Sequence, residues 1–239
     1  MEEEDAVSVL CYVKLRNSLK LNTLKTKCML IHSSRKKVDG NLELSVEGQP
    51  IELVRVFKFL GVLLNDALTW SDHIAHICAK ASRSLNLLRR LSWFLPKCLL
   101  FLYFKSYVLL TLDYCDVVWS CCTFEEAKRL ETRFNFGCRH ILHKPRLYSA
   151  SSARQELGLT SLNDRRKLHM CTMYKCLNSL SPPYLSRLLH TPSTHQTTLA
   201  SSTKQLNLPM TRSSFGQKAF SFAGASTWRS LPDSIRNVQ

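Results

Sequence analysis

The sequence predicts an α+β protein that is mostly α-helical, with a small antiparallel sheet followed by a helical bundle and a short C-terminal flap. Two patterns carry this prediction. Short apolar segments bounded by turn residues are confined to about the first 70 residues, as expected for strands. From Ser71 to about Leu189, apolar residues recur at spacings of three and four, which is the period of an amphipathic helix.

The chain of 239 residues, with a hydrophobic fraction of 45%, is long enough to bury a sizeable core. We expect four regions in this order: 1–70 with the sheet, 71–190 with the helical bundle, 191–212 as a flexible linker, and 213–239 as the flap. The linker is predicted because His190–Met210 is rich in Ser, Thr, Gln and His and shows no periodicity. Order signals return in Phe215–Asn237, which includes Trp228.

The elements predicted in the first region are a helix, Glu2–Leu21, and the strands Thr26–Ile31, Leu42–Val46, Ile51–Val56 and Phe57–Leu64. The second and third strands are expected to pair antiparallel across the turn Glu47–Pro50. The last strand is apolar on both faces apart from Lys58, which is typical of a strand covered on both sides. Gly61 within it allows a bulge or a close backbone approach.

The helices predicted in the second region are Ser71–Leu91, Pro96–Leu112, Phe124–His143, Ser149–Leu157, Ser161–Leu180 and Pro182–Leu189. Ser71 is a candidate N-cap of the first, and Pro96 suits the first turn of the second. Pro145 is expected to end the third, and Gly158 the fourth.

The charge balance points to a polyanionic partner. The chain has 33 Lys and Arg against 18 Asp and Glu, a formal net charge of +15, so nucleic acid is the leading class of partner. Arg165, Arg166 and Lys167 crowd the start of a predicted helix, where the helix dipole favours acidic residues. Either a role other than helix stability selected these cations, or they reflect the overall composition.

The cysteines and the apolar segments bear on the compartment. The chain begins MEEED, without a basic and then apolar signal peptide, so we expect an intracellular protein with reduced thiols, and the pattern does not distinguish nucleus from cytoplasm. The most apolar region, Leu91–Cys115, is interrupted by Pro96, Lys97, Lys105 and Asp113, so no membrane span is predicted.

No metal or cofactor site is predicted. The sequence has no Cys-x-x-Cys, and the two partial ligand groups are typical of core plus surface: Cys138 with His140 and His143, and His73 with His76 and Cys78. Asp113 and Asp116, three residues apart, are more typical of a helix end than of a metal site, and Glu2–Asp5 of a solvated helical turn.

Four segments, in order, resemble the reverse transcriptases of non-LTR (LINE-type) retrotransposons of the jockey, CR1 and L2 kind. They are NSLKLNTLKTKCMLI (Asn17–Ile31), FKFLGVLLNDALTWSDHI (Phe57–Ile74), LYFKSYVLLTLDYCDVVW with RLETRFNFGCRHIL (Leu102–Trp119 and Arg129–Leu142), and Leu157–Leu189 with Thr211–Asn237. The resemblance implies that the first region is the end of a polymerase palm, the second is thumb-like, and the last corresponds to the tail after the polymerase.

The resemblance also implies what this chain lacks. In the family, two Mg²⁺ ions are held by aspartates of an aromatic-x-Asp-Asp turn upstream of the segment that matches Asn17–Ile31. We expect the chain to begin after that turn, and it contains no Asp-Asp pair, so we predict an inactive RNA-directed DNA polymerase remnant without a cofactor. Magnesium is expected only for an intact family member. Lys25 matches a family lysine near the incoming triphosphate.

The leading hypothesis is residual, sequence-independent binding of RNA or DNA backbones. The predicted contact residues are Lys25, Lys80, Arg83, Arg89, Arg90, Arg139, Lys144, Arg146, Arg165, Arg166 and Lys167. Tyr103, Tyr107 and Trp119 are interpreted as core residues and not as stacking platforms. Two alternatives stay open: a helical module that binds a protein through exposed apolar surface, and an unstable fragment without function that exposes an edge strand.

Overall fold

The computed structural model describes residues 22, 25–31, 44–46, 48–169, 175, 180–187, 189, 206–211, 216–217 and 219–230. The chain is mixed α+β, with small strand pairs followed by helices, which confirms the predicted class. It divides into two compact units, Met1–His73 and Ile74–Gln239. The predicted helix Glu2–Leu21 lies outside the described residues.

The described strands of the first unit are β1 Lys27–Cys28, β2 Ser45–Val46, β3 Gln49–Pro50, β4 Glu52–Leu53, β5 Val56–Phe59 and β6 Val62–Asn65. β2 pairs antiparallel with β3 inside the predicted turn, because Gly48 adopts a φ of +74° that closes the hairpin early. The antiparallel pairing predicted for Ile51–Val56 is found only at Ile51, whose N–H donates to the Leu44 carbonyl at 2.8 Å. β4 does not pair with β2. It pairs in parallel with β1, and Lys27 forms an ion pair with Glu52 across the two strands.

The prediction of a single strand over Phe57–Leu64 was wrong, because this segment is a β-hairpin. β5 pairs antiparallel with β6, and Phe59 lies opposite Val62. The two turn residues, Leu60 and Gly61, have φ values of +46° and +86°, the sign pattern of the type I′ turn that matches the twist of paired strands. Phe59 and Leu60 are exposed, so the segment is not covered on both sides.

A polar network follows the hairpin. The buried Asn65 accepts a hydrogen bond from the backbone N–H of Thr69 (2.7 Å) and donates one to the Asp72 carboxylate (2.8 Å). The backbone N–H of Leu63 donates to Nδ1 of His73 at 3.2 Å. These contacts give Asn65, Asp72 and His73 structural roles at the start of the following helix.

The described helices are α1 Ser71–Leu91, α2 Lys97–Tyr103, a π-helical turn Phe104–Leu109, α3 Leu110–Asp113, α4 Phe124–Ile141, α5 Ala150–Glu156, α6 Leu162–His169, α7 Pro183–Ser186 and α8 Phe220–Arg229. The predicted helix Pro96–Leu112 is thus interrupted by a π turn. Gly158, with a φ of +63°, follows the end of α5 as predicted. Most of the predicted helix beyond His169 lies outside the described residues.

The core of the second unit lies between α1, α4 and the π turn. The apolar faces predicted for α1 and α4 are buried, as are Phe104 and Leu112. The rings of Phe104 and Phe134 lie 5.8 Å apart. Gly137 faces the same ring so closely that a Cβ there would lie 2.3 Å from Phe104, so the close approach of α4 requires glycine.

A second, smaller cluster joins parts of the chain that are distant in sequence. It contains Leu189, Leu206, Ala225 and Trp228, all buried. Trp228 and Ala225 belong to α8, so the ordered flap predicted around Trp228 packs through these residues. Leu206 lies within the stretch predicted as a linker, and Leu208 of the same stretch packs against the cluster. The few apolar residues there have no helical or strand period, so the pattern carried no signal of burial.

In the part of the chain that the structure describes, no helix is both long enough and apolar enough to cross a bilayer.

Candidate nucleic-acid interface

A cleft of about 920 Å³ lies in the second unit between the C-terminal ends of α1 and α4. We call it the cationic cleft. Its lining residues come from two segments, each containing the end of one helix and the residues just after it: Arg89, Arg90, Ser92, Trp93 and Phe94, and His140, His143 and Lys144.

The α1 side of the cleft is an extension of the helix. The Ser92 hydroxyl donates to the Arg89 carbonyl at 2.7 Å, and the backbone N–H groups of Trp93 and Phe94 donate to the carbonyls of Arg90 and Leu91 at 3.4 and 3.0 Å. The backbone of both aromatic residues is therefore held by hydrogen bonds. Their side chains are each 84% exposed.

The α4 side is formed by a Schellman turn. His143 has a φ of +54°, and its N–H donates to the His140 carbonyl, while the Lys144 N–H donates back to the Arg139 carbonyl at 2.9 Å. α4 thus ends at Ile141, before Pro145, which was predicted to end it. The Schellman turn was not predicted because its residue of positive φ, which is usually glycine, is His143 in this chain.

The electrostatics of the cleft follow from these two helix ends. The negative end of a helix dipole favours cations, and the last turns carry Arg89 and Arg90 in α1 and Arg139 and His140 in α4. The chain has no acidic residue between Asp72 and Asp113 or between Glu131 and Glu156. Within the described part of the chain, no carboxylate pairs with Arg89, Arg90 or Lys144.

His140 is a half-buried titratable group of the cleft. Its ring lies 4.2 Å from that of Phe136. Burial lowers the pKa of His140 below its ordinary value of 6.5, and the charges of Arg89 and His143 lower this pKa further. His140 is therefore neutral at pH 7, and the permanent charge of the cleft comes from Arg89, Arg90 and Lys144.

Six of the predicted contact residues are exposed or line the cationic cleft: Lys80, Arg83, Arg89, Arg90, Lys144 and Arg146. Lys80 and Arg83 lie on the same side of α1 as Arg90, because positions 80, 83, 87 and 90 are spaced by three or four residues. The helical rise places Lys80 about 15 Å from Arg90 along the axis. Lys25 is exposed in the first unit.

Lys144 also has a contact within the chain, since its Nζ lies 4.8 Å from the centroid of the Tyr148 ring. The remaining four predicted contact residues are held by hydrogen bonds, ion pairs or a ring contact. Arg139 donates to the Tyr148 carbonyl at 2.7 Å, and Lys167 lies 3.6 Å from the Asp164 carboxylate. Arg165 donates through Nε and a terminal nitrogen to Asp113, and its Nε lies 3.1 Å from Oδ1.

Arg166 is 8% exposed and lies over the Trp119 ring, with its guanidinium carbon 4.7 Å from the ring centroid. Tertiary contacts thus account for Arg165 and Arg166 at the start of α6, against the preference of the helix dipole. Hydrogen bonding to Asp113 raises the pKa of Arg165.

The sequence interpretation of the aromatic residues was partly wrong. Trp119 is buried as expected, and Tyr103 is half-buried, but Tyr107 is 59% exposed because the π turn brings Val108 and Leu109 inward instead. Trp93 and Phe94 were not identified as candidates. The available signal was an adjacent aromatic pair between two helices, outside the apolar period of both.

In the described residues, no three His, Cys, Asp or Glu side chains are placed to hold a metal ion together. Burial raises the pKa of Cys138 to about 12, so this thiol stays protonated at neutral pH, whereas a metal binds the thiolate. The Asp113 carboxylate forms an ion pair with Arg165, so its position is explained without a metal ion.

The fold and cleft define a mixed α+β chain whose helical unit carries a cationic, aromatic surface. No known protein family model, curated protein or solved structure matches the chain.

Proposed function

We propose that this chain binds nucleic acid through backbone phosphates, without sequence selection, and that the cationic cleft is the principal contact. The observation that carries the proposal is the convergence of Arg89, Arg90 and Lys144 from two helix ends, with no acidic partner in the described part of the chain. Phosphates satisfy such a surface because they bring negative charge without requiring a specific base.

The rest of the surface extends the same attraction. Lys80 and Arg83 continue the cationic row along α1, and Arg146 follows the α4 side of the cleft. The net charge of +15 would steer a polyanion toward the chain at low salt. Each phosphate that is neutralised releases condensed counterions, so affinity is expected to fall as salt rises.

The proposed origin is a non-LTR retrotransposon reverse transcriptase, with the first unit as a palm remnant and the helical unit as a thumb-like region. The support is the four segments that resemble that family in order, from Asn17–Ile31 to Thr211–Asn237. Because the sequence has no Asp-Asp pair to hold two magnesium ions, the proposal is for an inactive remnant of an RNA-directed DNA polymerase.

A second candidate function is binding of another protein. The observation that favours it is a row of exposed apolar side chains along α2, the π turn and α3: Leu99, Leu102, Tyr107 and Leu110. Apolar association depends weakly on salt, whereas phosphate binding depends on it steeply. Salt dependence therefore separates the two candidates.

The test is a salt titration of the purified chain with a fluorescent single-stranded oligonucleotide. With three phosphate contacts from the cleft, log K is expected to fall against log salt with a slope of about −2 or steeper. A thermal melt of the same preparation is expected to be cooperative. Undetectable binding at about 50 mM salt, or binding unaffected by salt, would contradict the proposal.

Binding is also expected to strengthen as the pH falls through the pKa that His140 has in the complex, and to level off below the lowered pKa of the free chain. The pKa of His140 is lowered in the free chain, and a nearby phosphate favours the protonated ring, so the complex takes up a proton. For each pKa unit gained on binding, the affinity gain approaches about tenfold at low pH. The measurement compares affinities for oligo-dT at pH 7.5 and 5.5 at constant ionic strength.

His140→Gln is expected to flatten this pH dependence. His76→Gln is the matched control, because His76 is exposed on α1 and does not line the cleft. The same pH dependence in wild type and His140→Gln would show that His140 is not the group responsible.

A further inference from the structure

The aromatic side chains of the cationic cleft are left exposed, so the chain forgoes the stabilisation that their burial would give. In the described part of the chain they have no visible structural role. Trp93 and Phe94 are each 84% exposed, although aromatic residues are among the side chains that contribute most when buried. Their backbones are nevertheless held by hydrogen bonds to the end of α1. The chain therefore presents two large rings at a defined place beside Arg89, Arg90 and Lys144.

The composition of the cleft favours one occupant. A protein partner would need to bring carboxylates and an apolar surface together, to match the cations and both rings. A nucleotide carries both features in one unit, since its phosphate is an anion and its base is a flat π surface. Trp93 follows Arg90 by three residues in a helical turn, so cation and ring are about 5–6 Å apart at their Cβ atoms.

Whether the cleft binds single-stranded or duplex nucleic acid depends on whether the faces of the bases are accessible. In a duplex, each base is stacked on its neighbours and paired along its edge, so a protein ring reaches a base face only at an end or after unstacking. In a single strand the bases can splay out and stack on aromatic side chains. Cations alone would favour the duplex, whose charge density is higher.

We propose that the cationic cleft selects single-stranded over duplex nucleic acid by stacking unpaired bases on Trp93 and Phe94 while Arg89, Arg90 and Lys144 hold the phosphates. This inference rests on the proposed function and names its substrate class. The stacking is tolerant of sequence, because every base presents a π face.

The experiment measures the affinity of the full chain for oligo-dT and for a duplex of the same length at one salt concentration. Wild type is expected to prefer the single strand. Trp93→Ser with Phe94→Ser is expected to weaken single-strand binding by about 10- to 100-fold, since stacking of each base contributes a factor of about 5 to 150. Duplex binding is expected to change less than about threefold, because charge is unaltered.

Two further variants make the result specific. Trp93→Phe with Phe94→Tyr keeps two rings and is expected to bind the single strand nearly as tightly as wild type. Tyr107→Ser removes an exposed ring outside the cleft and is expected to leave both affinities unchanged. Because Trp93 and Phe94 are each 84% exposed, the melting temperatures of their variants are expected to stay close to that of wild type. Tyr107→Ser also removes a stacking contact with Tyr103, whose ring centroid lies 4.8 Å away, so its melting curve is recorded alongside its affinities.

Three results would overturn the inference. If the Trp93 and Phe94 variant loses single-strand and duplex binding equally, or loses neither, the rings do not select the single strand, and the proposed phosphate binding still stands. If wild type binds neither nucleic acid, the proposed function fails, and the inference fails with it.

Discussion

Replacing Arg89, Arg90 and Lys144 together by glutamine is expected to weaken binding to a single-stranded oligonucleotide by about 100-fold at 0.1 M salt. The three cations line the cationic cleft without a carboxylate partner in the described part of the chain. Each phosphate contact contributes about 0.7 to the slope of log K against log salt for a single strand. Losing three contacts is therefore expected to flatten that slope by about 2.

The matched control removes the same charge elsewhere. Lys97, Lys105 and Lys128 are exposed and do not line the cleft, so their triple glutamine variant has the same net charge as the cleft variant. It is expected to bind less than about threefold more weakly than wild type, through long-range attraction alone. An equal loss in the two variants would mean that net charge, and not the cleft, determines the affinity.

The cleft variant is expected to lose binding affinity and to keep its folded structure. Each removed cation contributes at most about 0.3–1 kcal/mol to its helix through the dipole at an exposed helix end. A melting curve of each variant checks this directly. Anisotropy titrations at three or more salt concentrations then give the two slopes and the affinity at 0.1 M.

Trp119→Ala is expected to lower the free energy of unfolding by about 3–5 kcal/mol, the usual range for removing a buried aromatic side chain. Trp119 has no exposed surface, and its indole N–H donates to the Tyr114 carbonyl at 3.0 Å. Its ring also lies under the guanidinium of Arg166, which is itself buried. The substitution would leave a cavity beside a cation that has lost its π contact.

Trp93→Ala is the matched control, because it removes the same side chain from a position that is 84% exposed. Its effect on the free energy of unfolding is expected to stay within about 0.5 kcal/mol. Urea unfolding followed by circular dichroism measures both variants against wild type. A change below about 1 kcal/mol for Trp119→Ala would show that the Trp119 region does not contribute to the stability of the cooperative core.

The local sequence pattern was sufficient to predict which residues are buried where burial repeats at the helical period. The spacing of Ile74, Ile77 and Cys78, and of Leu130, Phe134 and Cys138, predicted the buried faces of α1 and α4, and all six residues are buried. A helix repeats its environment every three or four residues, so side-chain polarity records which face is covered. The concentration of cations at exposed positions of α1 is visible in the same way.

Local pattern failed where a turn uses an unexpected residue. Leu60 and His143 both adopt positive φ values, and neither is a glycine or an asparagine. An apolar run containing Leu60 therefore predicted one strand where the chain forms a hairpin. His143 likewise ended α4 before the proline that was expected to do so.

The sequence by itself determined the helical faces, the excess of cations and the mixed α+β class. Only the tertiary structure decided how those cations are used. Arg165 forms hydrogen bonds to Asp113, 52 residues away, and Arg166 lies over the Trp119 ring. Arg89, Arg90 and Lys144 line one cleft together with Trp93. Side-chain periodicity reports which face of a helix is buried, but not which helix ends pack together, because that depends on contacts distant in the chain.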